Sequence, residues 1–77
     1  MMTAATVDNA IDALGGNTAV GRMLDVVPSA VSNWRRLGYF PPRLSIELRR
    51  HAGARGVVIP DALFRAVPNR DRERVGA

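Results

Sequence analysis

The 77-residue chain has no cysteine and no lysine, a single histidine, and only four aromatic residues, Trp34, Tyr39, Phe40 and Phe64. Without cysteine it can form neither disulfides nor thiolate metal sites, and a reducing cytosol is its natural compartment. His51 alone rules out a multi-histidine metal site. No nucleophile–base pair, metal cluster or glycine-rich phosphate loop can be assembled at these spacings, so neither catalytic residues nor a metal or cofactor is expected, and the chain is not expected to be an enzyme. Nowhere do 18 apolar residues follow one another, and the start MMTAATVDNAIDALGG has no basic region or long apolar run. No membrane contact and no signal peptide are therefore expected, and the expected location is cytoplasmic. With so few rings, the core must be mostly Val, Leu, Ile and Ala.

What is present is arginine, unevenly placed. Residues 1–34 hold Arg22 against Asp8, Asp12 and Asp25, a net of −2, whereas residues 35–77 hold ten arginines against Glu47, Asp61, Asp71 and Glu73, a net of +6. A positive field confined to the second half suits a polyanionic partner.

The boundary between the two halves falls inside NTAVGRMLDVVPSAVSNWRRLG, Asn17 to Gly38. Thr18 to Leu24 reads as a helix, with Val20 and Leu24 four apart and Asn17 as its capping residue. Asp25, Val26 and Val27 interrupt the pattern, and Pro28 suits the first turn of a second helix, where its missing N–H would have no partner. That helix runs to Leu37, before Gly38. Gly21 stands in mid-helix at a cost of ~1 kcal/mol relative to alanine, which a close approach between two steeply crossing helices would explain.

Outside this pair, the spacing predicts a helix after Thr6 with Val7, Ala10, Ile11 and Leu14 on one side, stopped by Gly15-Gly16. Met1 to Ala5 is unpatterned and expected to fray. Tyr39-Phe40-Pro41-Pro42 reads as a loop, and a helix from Pro42 carries Leu44, Leu48 and Ala52 as far as Gly53. Val57-Val58-Ile59 fits either a short strand or an extended linker. Ala62, Leu63, Ala66 and Val67 suit one or two helical turns, and residues 68–77 read as a disordered charged tail. The fold class expected is all-α, in one domain filling residues 1–67.

Each helical residue advances ~100°, so the second helix of the central pair can be divided into faces. Ser32, Asn33 and Arg36 fall within about 60° of Ser29, and Val31 and Trp34 lie opposite. A face of short polar groups and an arginine suits a DNA major groove: asparagine can bond adenine in pairs, arginine guanine, and serine can donate or accept.

On these residues the chain resembles the helix-turn-helix regulators of bacteria and prophages in the Cro/YdaS-like, lambda-repressor-like group. PSAVSNW together with Gly21 carries the resemblance, and the run from Ala10 to about Phe64 extends it over about two-thirds of the chain. The resemblance implies a small bundle of about five helices, and a homodimer on double-stranded DNA, probing a near-palindromic operator with residues 28–37. It implies base contacts from Pro28, Ser29, Ser32, Asn33 and Arg36, and phosphate contacts from Asn17 and Thr18; the position of Arg35 and Arg43 at the end of this helix adds them to the phosphate set. Two positions depart from the pattern: Asp25 stands where the group commonly has glycine, and Val27 where it has Ser or Thr.

Other readings of single residues weigh against these. Trp34 shares the side of Val31 and is expected in the core rather than on a base. Tyr39 and Phe40 suit core or dimer surface more than DNA. Arg49, Arg50 and Arg55 fit an ordinary solvated face, and His51 is given no role. Val57 to Ile59 is expected to pack as a linker, the alternative being a pairing with its twin in a dimer. The competing function is a protein-interaction or antitoxin-like module in which Tyr39, Phe40 and residues 57–59 form an exposed apolar docking patch.

Overall fold

The computed structural model describes residues 1–65. Within them the chain is mostly helical, with four α-helices: α1 (Val7–Ala13), α2 (Asn17–Leu24), α3 (Pro28–Leu37) and α4 (Ser45–Ala54). Single 3-10 turns at Pro42–Leu44 and Asp61–Phe64 flank α4. Two two-residue strands, β1 (Met2–Thr3) and β2 (Val57–Val58), pair in parallel, Met2 opposite Val57 and Thr3 opposite Val58.

Local chemistry accounts for most of the boundaries. The Thr6 hydroxyl accepts from the Asn9 N–H at 3.1 Å and caps α1. Pro28 occupies the first turn of α3, and Gly38, at φ +86°, ends it with an N–H bond to the Trp34 carbonyl of 2.8 Å. Asp25 takes the left-handed conformation (φ +58°, ψ +47°) after α2, and the following Val26 N–H returns to the Gly21 carbonyl at 2.8 Å. This is the six-to-one bond of a Schellman ending, which aspartate adopts at some strain where glycine would be relaxed.

One apolar core joins the four α-helices. Val7, Ala10, Ile11 and Leu14 enter it from α1, Val20 and Leu24 from α2, Val31 and Trp34 from α3, and Leu48 and Ala52 from α4. Three of the four rings meet there. Trp34 and Phe40 pack edge-to-face with centroids 5.8 Å apart, and Phe64 lies 5.6 Å from Phe40. Phe40 is fully buried, and its N–H donates to the Leu63 carbonyl at 2.7 Å, so the loop after α3 is fastened to the turn after β2.

Several expectations need correction. The first residues are not frayed: Met2 N–H donates to Gly56 O at 2.8 Å and Ala4 N–H to Val58 O at 2.9 Å, and Ala4 is buried. Residues 57–58 are a strand, and their partner is the chain's own start, not a linker's packing surface or a twin. The apolar patch suggested for protein docking does not exist as such, because Phe40, Val57 and Ile59 are core residues and Tyr39 is half-buried. The helix expected from Pro42 begins as a 3-10 turn and becomes α-helical only at Ser45. Ala66 and Val67 of the last expected helix, and the tail 68–77, lie outside the described residues.

Candidate nucleic-acid interface

The geometry of the α2–α3 pair turns on Gly21. A Cβ built there would lie 2.7 Å from the Val26 carbonyl oxygen and 3.6 Å from the Pro28 nitrogen. The glycine therefore accommodates the backbone of the turn itself, rather than a side chain of α3. That contact brings α3 back across α2, with Val31 wholly buried between them and Trp34 only 6% exposed.

With those two residues inside, the opposite side of α3 is left to solvent. Pro28, Ser29, Ser32 and Arg36 are exposed, and Asn33 is half-buried at the flank. The N–H groups of the first turn of α3 have no side-chain cap, since Val27 offers no oxygen and stands 62% exposed. On the outer face the Arg36 Nη2 donates to the Asn33 Oδ1, three residues back and adjacent on the helix surface. Arg43, in the 3-10 turn beyond, is exposed, as is Thr18 at the start of α2. The five residues expected to touch bases are thus gathered on one helix, with four of them open to solvent.

Two of the residues expected at phosphates, Asn17 and Arg35, are bonded to each other within the protein. Asn17 does not cap α2; it is the helix's first residue, Gly16 precedes it, and no side chain caps the end. Its Oδ1 instead accepts from the Arg35 Nε at 2.7 Å. The remaining Arg35 nitrogens reach α1, Nη1 to Asp8 at 2.9 Å and Nη2 to Asp12 at 2.8 Å. One guanidinium thus ties α1, α2 and α3 together, and its hydrogen bonds to Asp12 and then Asp8 raise its pKa above the ordinary arginine value. Arg35, expected at a phosphate, is held in this structure as a brace between three helices. The missed signal was present in α1, where Asp8 and Asp12 are four residues apart and so share a face.

A second arginine is also engaged. Arg49 pairs with Asp61, and its guanidinium carbon lies 4.9 Å from the centroid of the Phe64 ring. The arginine holds the Asp61 carboxyl below the usual aspartate range, first by the hydrogen bond and then by charge. Among the described residues, Arg22, Arg36, Arg43 and Arg50 have no carboxylate within ion-pair distance. No group of three or more metal-ligating side chains occurs among the described residues, and none of their helices is long and apolar enough to cross a membrane.

No family model matches the chain, and neither a curated protein nor a solved structure matches it.

Proposed function

We propose that this protein is a sequence-specific DNA-binding transcriptional regulator, of the helix-turn-helix, Cro-like kind, that inserts α3 into the major groove. The observation that carries the reading is the division of α3 into a buried side, Val31 and Trp34, and an open side of Ser29, Ser32 and Arg36 with Asn33 at its flank. Short polar side chains let a helix axis approach base edges, and serine, asparagine and arginine supply the donors and acceptors that the major groove reads. The close turn at Gly21 and the uncapped starts of α2 and α3 support it, since helix N-termini with free N–H groups favour phosphate.

In this account Arg36 and Asn33 work on bases, while Arg43 and the N-terminal end of α2 at Thr18 work on phosphates. Arg35 holds α3 at its angle to α1 and touches no DNA. Repression of a prophage or mobile-element promoter is the role proposed, by a homodimer on a near-palindromic operator in the nucleoid. Its twin-contact surface must be sought away from Phe40 and Val57, whose side chains are already used in the core.

Binding to duplex DNA titrated against salt tests the proposal. Phosphate contacts release counterions, so the affinity is expected to fall steeply as salt rises. Arg43→Ala should weaken binding about equally on all sequences and flatten that dependence. An affinity insensitive to salt would sink the account.

A further inference from the structure

The contact between Asn33 and Arg36 changes what either residue can read. An asparagine by itself suits adenine, because its carbonyl oxygen accepts from the 6-amino group while its amide nitrogen donates to N7. Here the Asn33 carbonyl oxygen already accepts from the Arg36 Nη2. An adenine amino group arriving at that oxygen would meet a guanidinium that carries only donors and a positive charge.

What the pair turns outward is therefore a set of donors: the Asn33 amide N–H groups and the remaining guanidinium N–H groups. Of the purines, guanine alone offers acceptors at both O6 and N7 on the major-groove edge. No carboxylate among the described residues draws Arg36 away, because the ion pairs there involve Arg35 and Arg49. Nor do the neighbours obstruct it, Ser29 and Ser32 being short and exposed.

We infer that Asn33 and Arg36 act as one donor array that selects guanine and rejects adenine at the position they face. The inference rests on the major-groove reading proposed above. It makes Asn33 a residue that aims Arg36 as much as one that bonds a base.

The test is selection of bound duplexes from a random pool, with the wild-type chain, Asn33→Ala, Arg36→Ala and the doubly substituted chain. Wild type is expected to enrich guanine at one position of each half-site. Each single substitution should weaken that site about tenfold to a hundredfold, and the double should lose little more than either, since coupled residues do not add. In Arg36→Ala the freed Asn33 should shift the preference from guanine to adenine. Wild-type sites carrying adenine there, or losses that multiply in the double substitution, would overturn the pairing while leaving the DNA-reading interface intact. Failure of all four chains to enrich any sequence would overturn the interface itself, and the pairing with it.

Discussion

Arg35 and Arg36 are adjacent in the chain and about 100° apart around α3, and the two sides of the helix that they mark are built differently. On the Arg35 side, one guanidinium meets Asp8, Asp12 and Asn17 and fastens α3 to both preceding helices. On the Arg36 side the only side-chain bond among the described residues is to Asn33, within α3 itself, and Arg36 is exposed. Net charge cannot distinguish these two arginines. The difference comes from where the acids of α1 lie, and it separates a residue that orients the helix from one free to meet a ligand.

The largest effect that can sharpen this contrast is on the buried side. Trp34→Ala should cost about 3–5 kcal/mol of folding stability, as expected for loss of a large core side chain. A denaturant melt showing a loss below about 1 kcal/mol would mean that α3 has no fixed inside. Gly21→Ala should come next, at a net loss of about 1–3 kcal/mol, because the added methyl would press on the Val26 carbonyl, which is backbone and cannot swing aside. Helix propensity alone predicts a gain of ~1 kcal/mol, so the sign of the measured change decides between the two.

The two arginines themselves should then part. Arg36→Ala is expected to lower affinity for a selected site by about 1–3 kcal/mol and leave the melting midpoint in place. Arg35→Ala should instead destabilise the fold by about 1 kcal/mol, less at high salt, since its partners are well exposed. Equal behaviour of the two variants in both assays would remove the distinction.

The smallest effect is at the far end of the core. Because Arg49 lowers the folded-state pKa of Asp61, their pairing favours the folded protein above the ordinary aspartate range, and this contribution is lost as pH falls through about 4 and below. Asp61→Asn should flatten that portion of the acid limb in a stability–pH profile and change nothing near neutrality beyond the loss of the pair.

The parts of the molecule that were legible in its sequence are those written in short-range signals. α3 begins and ends at Pro28 and Leu37 as expected because a proline and a glycine mark its two ends, and Thr6 caps α1 through a hydroxyl three residues from its partner. Val31 and Trp34 were readable as one side by helical spacing. The pairing of β1 with β2 was not, since two residues carry no period and the partner lies more than fifty positions away. Phe40 was ambiguous for the same reason: a ring in a loop becomes core only when Leu63 and Phe64 return to cover it. The brace at Arg35 needed three helices placed at once, although its two acids stood at helical spacing in plain view.

The central claim is that the open side of α3 reads DNA sequence. Selection from a random duplex pool with the full wild-type chain tests it most directly. The account predicts an enriched two-fold site whose half-site centres lie about one helical turn apart, with binding that weakens as salt rises. Recovery of a pool no different from the starting one, at salt concentrations where the protein stays folded, would contradict it.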